Sequence, residues 1–474
     1  MENTVKQVHL LPAQCALDLG DGSERGEYVC QEYVLNVLGR PHRAVNIMYT
    51  YYPNDKEWPK RISEACADMD VSFAWDYPYD DYFPFCEDGE QFEQMRDIRR
   101  HGQDVMLTIT MDCSLDDDRL RAIARKLSTF GRVMLRINHE CNGNWFTHNR
   151  RFSYDEIADF FVRFAGIIKA EAPNVRTVFC AGLVCDETDE NGQRKVELED
   201  TFAKAYMAAD VWSADKYLAL HYGWPYGNAD ETGKFTRDPV EEVFNSYAET
   251  YERLSKRFGS KPFIQAELNA DGDVTGPLRQ QEPVLAYYDL VKKNNAPIAG
   301  ISMYQFRDRG RLGLERQNPN EPTVGIRQPL MDGYLKVLSD PYFSPGFETG
   351  QQVSFPAKLR WGGSEDADGI EIQLSFTGMP QFCEMICHEN LSLMIEFNGK
   401  WFYKSPQATT IDLMSAFFDH PITGSCDIPI RIFATCPDGE NHEGENDDWN
   451  INAYFVMEEE PEFRIRYEVP YDLF

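Results

Sequence analysis

From about residue 43 onward, short β-branched or aromatic runs alternate with longer stretches of helical period, the pattern of parallel βα units. The candidate strands are Ala44–Thr50, Val71–Asp76, Val105–Thr110, Val133–His139, Arg176–Ala181, Tyr217–His221, Pro262–Glu267 and Ile298–Tyr304. Between them lie amphipathic segments at Leu120–Thr129, Tyr154–Ala170, Val240–Phe258 and Pro283–Asn294, with helix-start signals at Ser114 and Ser153. Eight units over roughly 300 residues predict an α/β fold, a (β/α)₈ TIM barrel with its reactive groups at the carboxyl ends of the strands. A doubly wound open sheet is the competing architecture, but no Gly-rich phosphate fingerprint follows the first strand.

The pattern changes at Pro341–Gly350, a turn-rich stretch without helical period. Beyond it, Ile370–Phe376, Leu391–Phe397, Ile428–Ala434, Asn452–Met457 and Phe463–Val469 are short alternating runs separated by Gly, Pro, Asn and Asp. They predict a smaller C-terminal antiparallel β-sandwich. The expected organisation is therefore a barrel over 43–340 and an accessory sandwich over 351–474. The N-terminal extension, 1–42, carries the apolar pieces Val8–Leu11 and Tyr33–Leu38 and packs on the barrel or adds a strand to the tail.

Charge narrows the partners. There are 47 Lys and Arg against 78 Asp and Glu, a formal net charge of −31. That field repels phosphate backbones and anionic headgroups, so neither nucleic acid nor a membrane surface is an expected partner. The tail holds about half of the net negative charge on about a quarter of the length, the mark of a strongly solvated surface. Its acidic clusters at Asp438–Asp448 and Glu458–Glu460 are read as solvated loops ahead of calcium sites. No apolar run approaches the roughly 20 residues of a spanning helix. Met1-Glu-Asn-Thr-Val-Lys-Gln does not open a signal peptide, so the expectation is a cytoplasmic protein, or a secreted one whose leader has been removed. The 12 cysteines form no CxxC pair, and Cys383 and Cys387 have only His388 beside them; buried free thiols are expected.

The densest polar and aromatic constellation is Arg136-Ile-Asn-His-Glu-Cys-Asn-Gly-Asn-Trp-Phe146. It follows Val133-Met-Leu, so polarity switches on where a barrel strand reaches its open face. A second carboxylate, Glu267, ends the seventh candidate strand in Lys261-Pro-Phe-Ile-Gln-Ala-Glu267. Glutamates at the mouths of strands four and seven face one another across the pocket. At a separation of roughly 5–5.5 Å, one protonated carboxyl can release a glycosidic oxygen while the other, ionised, attacks the anomeric carbon.

The string His-Glu-x-Asn-Gly-x-Trp-Phe over residues 139–146 resembles the acid/base motif of glycoside hydrolase family 26, mostly endo-β-1,4-mannanases on a (β/α)₈ barrel with a retaining mechanism. The resemblance implies Glu140 as acid/base and Glu267 as nucleophile. His139 would approach the sugar beside the cleaved bond, and Trp145 would stack on it. Asn142 and Arg136 would meet hydroxyls, with Phe146, Tyr222, Trp224 and Tyr304 lining the cleft. The implied partner is a β-linked polysaccharide or oligosaccharide, foremost mannan, and no cofactor or metal is called for. Asn174-Val-Arg-Thr-Val-Phe is similar to the family's approach to strand five. Three departures stand out. Cys180-Ala-Gly-Leu-Val replaces a Trp-Pro-Asn-like end of strand five, and Tyr304-Gln305-Phe306 stands where strand eight has a tryptophan. The tyrosine that binds the nucleophile is assigned to Tyr222, with Tyr226 as the second choice. Subsite lining selects the sugar, so mixed-linkage glucan and xylan stay open beside mannan.

Blander readings accompany these assignments. A single Glu ending a strand is ordinarily a surface carboxylate; Trp145, Trp224 and Tyr222 have a core reading as well, second to the cleft one, and Trp75 next to Asp76 suits core and cleft wall equally. Arg136 is suited to pairing with a barrel carboxylate. His139 and Glu140 point to opposite faces of a strand, with no HExxH following, which disfavours a metal site. Cys141 lacks the neighbouring His of a thiol nucleophile. Two functional alternatives differ in class: a non-catalytic carbohydrate binder on the same barrel, and a phosphorylase using Arg307, Arg309 and Arg311 to hold phosphate.

Overall fold

The computed structural model describes residues 5–21, 28–54, 83–85, 89–143, 146–181, 197–221, 235–360, 367–435 and 454–468. The chain begins in the tail sheet with β1 (Val5–Leu11) and enters the barrel with β2 (Ala16–Gly20). Barrel strands follow at β3 (Ala44–Tyr51), β4 (Asp104–Met111), β5 (Val133–Ile137), β6 (Val175–Cys180) and β7 (Val211–Asp215). A short arm, β8 (Ala219–His221) with β9 (Phe235–Arg237), precedes β10 (Phe263–Leu268) and β11 (Gly300–Met303). Strands β2 to β7, β10 and β11 close into an eight-stranded barrel, all pairs parallel, so the open doubly wound alternative falls.

Two strand assignments change. Val71–Asp76 lies outside the described residues, and the barrel closes without it; the missing strand comes from Ala16–Gly20, inside the segment taken for an extension. Asp18 disguises that strand, since a buried aspartate interrupts its apolar run. Asp18 Oδ1 accepts from Arg43 Nε at 2.9 Å and from the Ala44 backbone N–H at 3.1 Å, which offsets the burial. Likewise the sixth strand is Val211–Asp215, not Tyr217–His221, whose last residues instead form the antiparallel arm. Each change replaces one strand by one, so Ala44–Tyr51 becomes barrel strand two while residues 133–137 and 263–268 remain strands four and seven.

Alternation along the strands separates two environments. Val105, Leu107 and Ile109 of β4 and Val133, Leu135 and Ile137 of β5 belong to the large core between strands and helices. Met106 and Met134 instead join Ala44, Val178, Val211, Ile264 and Ala266 in a separate cluster that fills the barrel interior. Arg136 falls on that inward face. Around the barrel, the helix Tyr154–Glu171 starts at Ser153 as expected, with a capping box to Glu156. The helix Asp117–Leu127 is capped by Asp116 rather than Ser114, which bonds to Asp112.

After the barrel come β12 (Arg307–Asp308), β13 (Glu315–Asn318) and β14 (Glu321–Arg327), a small sheet. The tail contains β15 (Gly346–Gln352), β16 (Ala357–Arg360), β17 (Asp368–Thr377), β18 (Met379–Ile386), β19 (Ser392–Phe397), β20 (Lys400–Lys404), β21 (Thr410–Asp412), β22 (Ser425–Thr435), β23 (Tyr454–Met457) and β24 (Glu462–Glu468). Its six-stranded sheet runs β15-β1-β17-β22-β19-β20, and β21-β18-β24 with β16-β23 supply the facing layer. All of these pairs are antiparallel. Ile370, Ile372 and Leu374 of β17 share one core with Met385 of β18 and Ile395 of β19. The first 42 residues thus give one strand to each sheet. Barrel and tail also touch directly: Thr435 Oγ1 donates to the Arg100 carbonyl at 2.7 Å, and the His101 and Tyr403 rings lie 4.3 Å apart. No described helix is long and apolar enough to cross a membrane.

Candidate active site

Arg136 organises the mouth of the barrel. It has no exposed surface, and a buried guanidinium requires partners on most of its five N–H groups. Nη1 donates to Glu267 Oε1 at 2.8 Å and lies 3.4 Å from Thr108 Oγ1. Nη2 donates to Asp215 Oδ2 and approaches Cys180 Sγ at 3.5 Å. One cation from strand four therefore ties together the carboxylates that end strands six and seven. Burial works against its charge, but Asp215 and Glu267 outweigh it and hold the group firmly cationic.

Glu267 faces the pocket because of a β-bulge. Pairing with β7 runs Gln265 to Ala214, then Glu267 to Asp215, leaving Ala266 as an extra residue. Simple alternation would send position 267 toward the helices; the bulge returns it to the inner face. Its second oxygen, Oε2, accepts from the Tyr217 hydroxyl at 2.5 Å. Burial, reinforced by Glu267, pushes the Tyr217 phenol well above its ordinary range, so it remains a donor. The Tyr217 ring meets Tyr304 edge-on at 5.8 Å, and Tyr304 is buried beside Met48 and Leu312.

Glu140 reaches the same place through strained backbone. Asn138 and Glu140 have φ of 47° and 49°, a region that favours glycine and that asparagine tolerates best among the rest. The Asn138 side chain stabilises the turn: Oδ1 accepts from the Met111 backbone at 2.6 Å and Nδ2 donates to the Met111 carbonyl at 3.3 Å, joining β5 to β4. Glu140 is half-buried, and one oxygen each from Glu140, Asp215 and Glu267 lie within 4.8 Å of one another. Such an oxygen trio can attract a hard cation, but Arg136 already supplies the positive charge between two of its members.

His139 is nearly fully buried, with Nε2 3.9 Å from Glu267 Oε1 and its ring 4.4 Å from that of Phe146. Burial, with Arg136 and His148 nearby, holds it well below the usual histidine range, so the imidazole is neutral. Phe146 is buried, its ring between those of His139 and His148. Asn142 is half-buried in the loop, its carbonyl accepting from Tyr154 Oη at 2.9 Å.

The structure therefore brings together Glu140, Glu267, Arg136, His139 and Tyr304, with Phe146 packed behind His139. Arg136 is a correction: it lies under the carboxylates without exposed surface, not among groups open to a sugar. Trp145, Tyr222, Trp224, Tyr226, Trp75 and Asp76 lie outside the described residues. Among the described residues, the phenol on Glu267 is Tyr217, a position passed over in favour of Tyr222. Asp215 and Asn138 were also missed. Asp215-x-Tyr217 directly after the short buried run Val211–Ala214 is the signal that finds both residues of that strand end. Of the three arginines after strand eight, Arg307 is tied to Glu315 at 2.8 Å and Arg311 to Asp273 at 2.7 Å. A phosphate pocket would have to be made without them.

No family model matches the chain, and no curated protein matches it. Solved structures are similar to it at low identity. An α-L-arabinofuranosidase from Thermotoga maritima in its arabinose complex is 10% identical, covering 91% of this chain and 100% of that one with a TM-score of 0.42. A glucosidase from Croceicoccus marinus is 9% identical over 90% and 96%, with a TM-score of 0.46. A family 39 glycoside hydrolase from Bacteroides cellulosilyticus is 10% identical over 89% and 81%, with a TM-score of 0.42. These scores are too low to assign a function.

Proposed function

We propose that the protein is a retaining glycoside hydrolase in which Glu140 is the acid/base and Glu267 the nucleophile. The observation that carries this is the closeness of the two carboxyl groups, with oxygens no more than 4.8 Å apart at the ends of strands four and seven. Retaining glycosidases hold their carboxyl groups about 5–5.5 Å apart, whereas inverting enzymes leave roughly 6.5–9.5 Å for a water. Environment divides the roles. Glu267 receives Arg136 and Tyr217, both donors to the ionised form, as suits a nucleophile. Glu140 stands on the loop side, half-buried, where it can protonate a departing oxygen and later deprotonate water.

In the first step an oxygen of Glu267 bonds to the anomeric carbon as the glycosidic bond breaks, and the leaving oxygen takes the Glu140 proton. Water, deprotonated by Glu140, then releases the glycosyl group from Glu267. Neutral His139 offers a ring nitrogen beside the nucleophile without adding a competing charge. The likeness of residues 136–146 to family 26 favours β-1,4-mannan or manno-oligosaccharides as substrate, with glucan and xylan as the alternatives. The test is reducing-sugar release, with product sizing, from glucomannan, galactomannan, mixed-linkage glucan and xylan by the native protein, Glu140→Ala and Glu267→Ala. Cleavage that disappears in both variants is expected. A native protein that cleaves none of these polymers or their short oligosaccharides, with or without phosphate, overturns the reading and leaves a binding protein.

A further inference from the structure

Asp215 has no part in the two-carboxylate scheme, yet it is the third carboxylate of the site. It ends β7, and Oδ2 accepts from Arg136 Nη2 and, at 3.3 Å, from the Cys180 thiol. Oδ1 is buried and, among the described residues, has no hydrogen-bond partner. Arg136 spends its other terminal nitrogen on Glu267. Resting on the assignment of Glu140 and Glu267 above, we propose that Asp215, supported by the Cys180 thiol, is a positioning residue: it holds Arg136 against the nucleophile and keeps that cation paired while Glu267 is esterified.

The charge balance of the first step requires such a partner. Before it, Glu267 is an anion and Glu140 carries a proton. As the Glu267 oxygen bonds to the anomeric carbon, the electron pair of the broken glycosidic bond leaves with the departing oxygen, which takes the proton from Glu140. Negative charge disappears from Glu267 and appears on Glu140, while Arg136 keeps its charge and its burial. Without Asp215 the guanidinium would lose its only directly bonded carboxylate at that moment, and a buried unpaired charge is strongly unfavourable. Sharing the guanidinium has a second effect. A nucleophile that owned the whole cation would be over-stabilised as an anion and slow to attack; Asp215 draws part of that stabilisation away.

Electrostatics agree with the geometry. Burial pushes the Asp215 carboxyl up to about 7, Arg136 pulling it down and the Glu267 charge pushing it further up. Among the described residues, the charged and titratable groups facing it are Arg136 and Glu140 from strand four and its loop, Cys180 from strand five, Glu267 from strand seven, and the Tyr217 and Tyr247 phenols. Cys180 stands at one of the departures from the family 26 pattern, and its burial keeps it a protonated donor.

The experiment combines turnover with a readout that needs none. In Asp215→Asn, kcat on the best substrate of the panel should fall about 10²–10³-fold, the scale of a broken buried pair. KM should stay within a few-fold, and the pH profile should change near neutrality, because Asn removes the carboxyl that burial pushes up to about 7. Carboxyl ¹³C titration of aspartate-labelled full-length protein should show one aspartate titrating near neutrality. That signal should vanish in Asp215→Asn and move to lower pH both in Glu267→Gln, which removes a neighbouring charge, and in Cys180→Ser, which strengthens the donor. Native kcat and an unmoved pH profile in a folded Asp215→Asn, while Glu140→Ala and Glu267→Ala are inactive, would overturn this proposal and leave the catalytic pair standing. A near-neutral aspartate indifferent to Glu267→Gln overturns it as well, whether or not any substrate turns over.

Discussion

The Tyr217 hydroxyl donates to Glu267 Oε2 at 2.5 Å, on the side of the carboxylate opposite Arg136. Glu267 is thereby fixed in rotation as well as in place, one donor to each oxygen. A hydrogen bond to a charged group contributes about 1.5–3 kcal/mol. Tyr217→Phe should therefore cost folding stability on that scale and lower kcat about 10–100-fold. Steady-state kinetics beside a denaturation curve check this, and an unchanged kcat would mean that Arg136 alone orients the nucleophile.

Arg136→Met should destabilise the fold by about 3–5 kcal/mol at neutral pH, since it strands two buried carboxylates. The loss should shrink as pH falls through about 7 and Asp215 takes up a proton. Urea denaturation at several pH values reads both the size and the trend.

Asn138 links β5 to β4 while holding a left-handed backbone. Asn138→Ala removes both bonds to Met111 and adds a backbone cost of roughly 1–2 kcal/mol, and Asn138→Gly removes the bonds alone. Both variants should be less stable than the native protein, with alanine the worse by about 1 kcal/mol. Because Glu140 lies two residues on, both should also lose activity beyond what their stability explains.

Burial lowers His42 and His148 to about 3, with Arg40 adding to the effect at His42. Their folded values lie below the unfolded one near 6.5, so their stabilisation is fully present above that pH and lost as pH falls toward 3. Over this window the unfolded chain binds one more proton per histidine, a slope of about 1.4 kcal/mol per pH unit each. His42→Gln, which can still meet the Tyr334 hydroxyl, should reduce the measured slope by that amount. Asp215 acts in the other direction: its raised value gives stability that is present below its unfolded value and lost as pH rises through about 7.

What the sequence revealed divides along physical lines. The Arg136–Phe146 string and Glu267 were legible because both interrupt apolar strands with polar groups at their carboxyl ends. The tail strands were legible through period-two alternation, as in Asp368–Thr377, whose Ile370, Ile372, Leu374 and Phe376 face one core. Ala16–Gly20 was not, because Asp18 breaks its run and only Arg43, distant in sequence, makes that burial tolerable. Val211–Asp215 was hidden by its brevity and by the helix Ala203–Ala208 just before it. The inward aim of Glu267 depends on one extra residue in strand pairing, and strand seven read alone carries no sign of that register. The role of Arg136 was open between sugar and carboxylate, and only its complete burial between Asp215 and Glu267 decides it.

The most direct test of the catalytic pair is azide rescue with 2,4-dinitrophenyl β-mannobioside, or the matching β-glycoside of whichever sugar the polymer panel selects. Its leaving group needs no acid. Glu140→Ala should still form the glycosyl-enzyme, and azide should return turnover with a β-glycosyl azide as product. Glu267→Ala should yield the α-glycosyl azide, since azide then occupies the nucleophile's place. Opposite anomers from the two variants are the predicted result; the same anomer from both, or native-like turnover in Glu267→Ala without azide, would contradict the assignment.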